Sequence, residues 1–311
     1  MKSWKKRLAI LVCFGAIAVL LSFGYIHLFL SRPIGSGPAG PNVDRSAFGA
    51  IWSERKILVL GIGDSITAGL GANSPDHSYF NRLIVNPDDE FPSMKNICLS
   101  SVLPNLQSMN LAVSGSTSID HYQVVSERLP TQPEDVFGLV MLTTGGNDLI
   151  HSYGRRPPQE GAMYGATLVQ AKPWIEAFQL RLNEMISKIE DAFPGGCEIY
   201  LADIYDPTDG VGDAPSIYLP HWEHGLAIHS QYNEAIRYCA KLKKNVHVVP
   251  LYQKFLGHGS HCRQFWREHY SSEDPSYWFF TNIEDPNDRG YDAIRRVFLN
   301  TILDSSVLVP K

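Results

Sequence analysis

Five short, mainly apolar runs recur along the chain after residue 55, and each is followed by glycine or polar residues. Most of their positions are apolar, rather than every second one, which is typical of strands covered on both faces of a parallel sheet. The pattern therefore predicts about five buried strands, over residues 56–60, 109–113, 137–143, 198–204 and 246–251.

Segments with apolar residues at helical spacing separate or follow these strands. They cover residues 119–129, 173–193, 232–242 and 288–303. Strands that alternate with helices predict a three-layer α/β/α domain with a mainly parallel sheet. In such a sheet ligands bind at the carboxyl ends of the strands, so candidate chemistry is sought there.

The first 30 residues follow a different pattern. Residues 8–30 contain no Asp, Glu, Lys or Arg, and a helix of that length spans roughly 34 Å, enough for a hydrocarbon core of about 30 Å. Lys2, Lys5, Lys6 and Arg7 precede the run, so the positive-inside rule predicts a cytoplasmic N-terminus and an extracytoplasmic remainder. A signal peptide that is cleaved to release a secreted protein is the alternative. It is disfavoured because the run is long and ends without a small-residue cleavage site.

The division that follows is a basic tip and transmembrane signal anchor in residues 1–30, a Pro/Gly-rich linker in 31–46 and the α/β domain in 47–311. Five of the 27 basic residues and none of the 32 acidic residues lie in residues 1–43, which leaves 22 basic against 32 acidic in the rest. A body of that charge argues against binding of nucleic acid or of an anionic lipid surface by charge.

Three polar or glycine-rich signals stand at successive predicted strand ends. Ser65 follows the first strand within GIGDSITAG, Gly115 follows the second within NLAVSGS, and Asn147 follows the third within TGGND. A serine exposed at a helix start, a glycine N–H and an asparagine amide can together surround a nucleophile and an oxyanion. Each signal is weak alone, but their shared edge of the sheet strengthens them.

These motifs resemble the SGNH (GDSL) hydrolase family. Its first three blocks match Gly63-Asp64-Ser65, Asn110 to Gly115, and Gly145 to Asp148, in the same order. The resemblance covers about residues 56–303 and implies a flavodoxin-like fold and ester hydrolysis through an acyl-enzyme. By this resemblance Ser65 is the nucleophile, and the Ser65 N–H, the Gly115 N–H and the Asn147 side chain form the oxyanion hole.

The last block of the family departs from the pattern. Asn282-Ile-Glu-Asp285 stands where the family carries Asp-x-x-His, so the catalytic His is replaced by Asp285 and its orienting Asp by Asn282. A serine hydroxyl needs a base near neutral pH, and an unperturbed Asp is a weak one. Either another His acts as a relocated base, or Asp285 does so with a pKa raised by burial, or the protein is inactive.

The segment after the fifth strand supplies the histidines of the first alternative. His261 and His258 are favoured over His269, with Asp285 then accepting the other ring N–H. His221, His224 and His229 are outside candidates. The His258–His261 pair has no third ligand at a metal-like spacing and no C-x-x-C occurs, so neither a metal nor a cofactor is expected.

The sequence therefore predicts a membrane-anchored serine esterase whose substrate is a lipid ester, an O-acetylated glycan or a small ester. A transferase that uses the same acyl-enzyme stays open. The alternative from a different class is an inactive domain of the same fold that binds a ligand or glycan.

Overall fold

A sheet of five parallel strands in the order β2–β1–β3–β4–β5 forms the centre of the computed structural model, which describes residues 2–310. Four strands lie within two residues of their predicted bounds at each end. The three-layer α/β/α prediction is confirmed. The strands are β1 (Lys56–Ile62), β2 (Leu106–Asn110), β3 (Val136–Leu142), β4 (Cys197–Ala202) and β5 (Val246–Val249).

The second strand lies earlier in the chain than predicted. The prediction was residues 109–113, but β2 covers Leu106–Asn110 and pairs only with β1. Because it is an edge strand with mostly exposed side chains, it carries polar residues that a search for apolar runs passes over. The chain then stays beside β1, with the Val113 N–H donating to the Gly63 carbonyl at 2.9 Å.

Nine α-helices accompany the sheet in the described part of the chain. Four of them, α4, α6, α7 and α9, are the predicted amphipathic segments. The sixth begins five residues before the predicted start, where Thr167 and Gln170 form a capping box, and it accommodates Pro173. The helices are α1 (Lys2–Tyr25), α2 (Ser65–Ala68), α3 (Tyr79–Ile84), α4 (Ser118–Arg128), α5 (Gly146–Ile150), α6 (Leu168–Ala192), α7 (Gly225–Lys241), α8 (Leu251–Phe255) and α9 (Asp288–Ser305).

The core has two halves, one on each face of the sheet. Val59 of β1 packs in the cluster that contains Phe298 of α9, and Leu60 packs in the cluster that contains Phe178 of α6. Successive strand residues point to opposite faces, so each needs its own helical layer. Helices α3 and α9 cover one face, and α4, α6 and α7 cover the other.

The N-terminal helix stands apart from this core. Residues Lys6–Leu30 form an apolar helical stretch of 25 residues, long enough to cross a membrane and with none of its most apolar window buried. A π-helical turn, Ile26–Leu30, ends it. This length and composition suit a membrane anchor or a signal sequence.

The segment 31–46, predicted as a linker, packs along α9. The Ala39 N–H donates to Asp292 Oδ2 at 2.9 Å, and Arg289 Nη1 donates to the Ser36 carbonyl at 2.8 Å. Gly40 adopts a φ of +87°, and a Cβ there would lie 2.7 Å from Ala293 Cα. This close approach explains the glycine and ties the segment to the α/β domain.

Candidate active site

Ser65 is the first residue of α2, directly after β1. Asp64 caps this helix by accepting a hydrogen bond from the Ile66 N–H at 3.1 Å. A Cβ at Gly63 would lie 2.1 Å from Thr143 Oγ1, so only glycine lets the turn approach β3 this closely. The turn holds Ser65, which is 8% exposed, at the wall of a cavity of about 140 Å³.

Asn147 and Gly115 come from the two strand ends that flank Ser65. Asn147 Nδ2 donates one hydrogen bond to the Ser116 carbonyl at 2.9 Å, which leaves its second N–H free to reach a ligand. Gly115 has a φ of +82° and is exposed. Among residues 2–310, no acceptor takes the backbone N–H of Ser65 or of Gly115. The three predicted oxyanion donors thus lie at one edge of the sheet.

A buried carboxylate holds two of these loops together. Asp148, next to Asn147, accepts hydrogen bonds from the Ser118 N–H at 2.8 Å and from the Ser118 hydroxyl at 2.5 Å. Burial raises the pKa of Asp148, and these hydrogen bonds and Arg181 oppose the rise. Because Ser118 opens α4, Asp148 fixes the position of Asn147 relative to the Gly115 loop.

His121 makes a second link that sequence reasoning missed. Its ring nitrogens lie 2.7 Å from Ser116 Oγ and 2.8 Å from Thr144 Oγ1, and burial lowers its pKa to about 4. A neutral ring with both nitrogens engaged joins the ends of β2 and β3. The only sequence signal was a histidine on the apolar face of a predicted helix, which does not reveal its partners.

Asp285 lies beside Ser65. Its side chain is 1% exposed, and Asn282 Nδ2 donates a hydrogen bond to Oδ2. Burial raises the pKa of Asp285, while interactions with the Ser65 hydroxyl and with Asn282 oppose the rise. Within residues 2–310, Oδ1 has no hydrogen-bond partner. Asn282 and Asp285 therefore lie together in the segment before α9, with Asp285 at the wall of the cavity that Ser65 also lines.

The carboxyl group of Asp64 lies close to that of Asp285. Burial raises the pKa of Asp64 to about 6, with Asp285 contributing to the rise and hydrogen bonds from Ile66 and Thr143 opposing it. Like charges in a desolvated place disfavour ionisation of both groups. Burial and the neighbouring Asp285 therefore both favour the protonated form of Asp64.

The structure does not place His258 or His261 at Ser65. The ring of His258 stacks on Trp278 at 3.4 Å between centroids, and burial lowers its pKa to about 4. His261 Nε2 pairs with Asp213 at 2.8 Å. Neither ring lines the cavity of Ser65, so their placement does not support the role of relocated base. The sequence could not show that the loop after β5 turns away from the sheet edge.

Of the other histidines considered, only His229 lines the cavity. Its Nε2 lies 2.9 Å from the Ile204 carbonyl, and burial lowers its pKa. Asp285, by contrast, lines the cavity together with Ser65 and has an unpartnered carboxyl oxygen among the described residues. The carboxyl group is therefore the titratable group best placed to act on Ser65.

Tyr153 and Glu284 also line the cavity and contact each other. The Tyr153 hydroxyl donates to Glu284 Oε1, and the Tyr205 hydroxyl donates to the Glu284 carbonyl at 2.5 Å. Ser152 and Tyr153 both have positive φ, at 66° and 48°, an uncommon conformation for residues with side chains. Sequence reasoning missed this contact because 131 residues separate its partners.

The cavity contains no lysine or arginine among its lining residues. Residues 2–310 contain no group of three or more His, Cys, Asp or Glu side chains arranged to hold a metal. The five cysteines are free, and four of them are buried. The carboxyl groups that line the cavity are those of Asp64, Asp203, Asp206, Glu284 and Asp285.

The chain matches the family model described as "GDSL-like Lipase/Acylhydrolase family" over residues 62–293. This match covers more than half of the chain and establishes that the chain belongs to the GDSL-like lipase/acylhydrolase family. No curated protein matches it in sequence.

Solved structures share the fold at low sequence identity. The lipase Lip_vut3 from a goat rumen metagenome has a TM-score of 0.51 and 17% identity, covering 81% of this chain and 99% of its own. A catalytic mutant of Axe2, an acetylxylan esterase from Geobacillus stearothermophilus, has a TM-score of 0.52 and 16% identity, covering 81% and 96%. Phospholipase A1 from Streptomyces albidoflavus has a TM-score of 0.51 and 17% identity, covering 81% of this chain and 100% of its own. At these identities the similarity shows the fold.

Proposed function

We propose that this protein is a serine esterase in which Ser65 is the nucleophile and Asp285 is the general base. The observation that carries the proposal is that the buried Asp285 carboxyl lines the same cavity as Ser65 and has an oxygen, Oδ1, without a hydrogen-bond partner among residues 2–310. Family membership supports ester hydrolysis as the reaction.

In the acylation step, the Ser65 oxygen attacks the ester carbonyl carbon and its proton moves to Asp285. The tetrahedral intermediate collapses when the bond to the leaving oxygen breaks, and Asp285 returns the proton to the departing alcohol. Water then attacks the acyl-enzyme, giving its proton to Asp285, and Ser65 leaves with that proton. In both acylation and deacylation, Asp285 accepts one proton and then returns it.

The oxyanion of each intermediate is stabilised by the Ser65 N–H, the Gly115 N–H and the free N–H of Asn147. These donors are held before substrate arrives, because Asp148 and His121 fix the loops that carry them. Preorganised donors of this kind supply several kcal/mol of transition-state stabilisation in acyl transfer.

The chemistry of the base differs from that of a His–Asp pair. An Asp carboxylate is a weaker base than imidazole, and its desolvation here raises its pKa towards the useful range. Asn282 replaces an orienting carboxylate with an amide N–H donor, which suits a negatively charged base. Asn282 and Asp285 can thus together replace the orienting Asp and the basic His of the family pattern.

The test is turnover of p-nitrophenyl acetate by the full chain in mild detergent, together with labelling by a fluorophosphonate. We expect turnover and labelling in the wild type, and neither in Ser65→Ala. Equal, background-level turnover in both, on this ester and on longer-chain ones, together with absent labelling, would overturn the proposal and favour a ligand-binding or glycan-binding domain.

For the location, we propose an uncleaved anchor with the α/β domain outside the cytoplasm. Four basic side chains precede the apolar stretch, whereas Arg32 alone follows it closely. N-terminal sequencing of the membrane-extracted protein tests this proposal, because a cleaved signal peptide leaves a new N-terminus near residue 31.

A further inference from the structure

A cluster of exposed aromatic side chains lies at the end of the apolar N-terminal stretch. Phe265 and Trp266, on the loop after α8, are 65% and 48% exposed. Their ring centroids lie 5.0 Å apart, and the ring centroids of Trp266 and Phe29 lie 5.9 Å apart. We call Phe29, Leu30, Phe265 and Trp266 the aromatic corner.

Polar contacts hold this corner to the end of the anchor. Arg263 Nη2 lies 2.5 Å from His27 Nε2. Arg32, just beyond the anchor, donates to the Ser216 carbonyl and lies 5.0 Å from the ring centre of Tyr218. The corner is therefore a continuation of the apolar stretch onto the surface of the α/β domain.

The same contacts reach the wall of the active-site cavity. Ala214, Ile217 and Leu219 line the cavity, and they flank Ser216 and Tyr218 in sequence. Tyr218 itself is 72% exposed. The segment 214–219 thus lines the cavity with some of its residues and contacts Arg32, just beyond the apolar stretch, with others.

We propose that the aromatic corner is a docking surface for the lipid bilayer, and that it seats the α/β domain with the segment 214–219 against the membrane. Adjacent aromatic side chains at the end of an apolar helix match the preference of Trp and other amphipathic rings for the membrane interface. The bilayer is favoured over a second copy because the corner adjoins the anchor directly.

The proposal implies that esters dissolved in the bilayer reach Ser65 from the membrane side. That consequence rests on the proposed esterase function, whereas the docking itself does not. Two measurements therefore separate the failure of one from the failure of the other.

The first measurement is quenching of tryptophan fluorescence, with the full chain reconstituted in phosphatidylcholine vesicles with and without bromine on the acyl chains. We expect the quenched fraction to fall in Trp266→Phe relative to wild type. An unchanged quenched fraction places Trp266 outside the bilayer and overturns the proposal. So does a cross-link between residues 265 of two chains, which assigns the corner to a dimer.

The second measurement compares turnover of p-nitrophenyl palmitate dissolved in the same vesicles with turnover of p-nitrophenyl acetate in water. The double variant Phe265→Ser, Trp266→Ser should lose at least about fivefold on the membrane-dissolved ester, because a domain that is no longer seated presents its cavity poorly. Its turnover of the water-soluble ester should stay at the wild-type level. Leu180→Ser, at an equally exposed leucine on α6, is the matched control.

Equal loss on both esters indicates damage to the site and contradicts the seating of the domain. Turnover unchanged on both esters does the same. If neither ester is hydrolysed by the wild type, the proposed function fails, and the quenching measurement alone decides the docking.

Discussion

The two sides of the active site keep different parts of the family pattern. On the strand-end side, Ser65, Gly115 and Asn147 match the family motifs and lie at one edge of the sheet. On the side of the segment before α9, Asn282 and Asp285 occupy the family positions with other side chains. Backbone N–H groups and tight turns have few chemical substitutes, whereas a proton acceptor needs only a basic atom in the right place.

The largest test of this comparison is Asp285→Asn. The change removes the base and keeps the size of the side chain, so kcat/KM for p-nitrophenyl acetate should fall by about 10²–10⁴-fold. The matched control is His261→Gln, which preserves a donor towards Asp213 and should leave kcat within about twofold. The opposite ranking of the two variants would restore the relocated histidine as the base.

The strand-end side is tested by Asn147→Ala. Loss of one oxyanion donor should lower kcat by about 10²–10³-fold with little change in KM, because the donor acts mainly on the transition state. Retained kcat would mean that Asn147 serves only to bind Ser116. Fluorophosphonate labelling of Ser65 measured in parallel reports whether the nucleophile itself stays reactive.

Asn282 is a positioning residue, and a pH profile tests it. In Asn282→Asp a second carboxylate would face Asp285, which raises the pKa of Asp285 further. In the proposed mechanism turnover depends on ionised Asp285, so the acidic limb of the kcat/KM profile should move to higher pH by about one unit. An unshifted limb with unchanged kcat would show that Asp285 is not the group that titrates.

The smallest expected effect concerns Asp64 and stability. Because burial raises its pKa from 3.8 to about 6, the native state binds more protons than the unfolded state between these values. The contribution of Asp64 to the free energy of unfolding should therefore fall as pH rises from about 4 to about 6 and then level off, by at most about 3 kcal/mol in total. Urea titrations of wild type and Asp64→Asn measure this, and the fall should be smaller in the variant, where only other buried carboxyl groups such as Asp203 and Asp209 contribute to it.

Sequence reasoning located the strand-end side because its signals are local. Ser65 and Asn147 follow fully buried apolar strands, so their place at the sheet edge follows from the direction of parallel strands. The predicted position of the edge strand β2 was three residues too late in the chain, because its exposed positions carry no apolar pattern. The general base was harder to assign, since the path of the loop after β5 depends on contacts such as the stacking of His258 on Trp278.

The packing of the segment 31–46 determines where the chain can be cut without harm. Cleavage near residue 31 would release a domain that keeps the Ala39–Asp292 and Arg289–Ser36 hydrogen bonds. Cleavage after residue 40 would strip both partners from α9 and open the groove that Gly40 fills against Ala293. The released form of this protein, wherever it arises, should therefore begin well before the predicted domain start at residue 47.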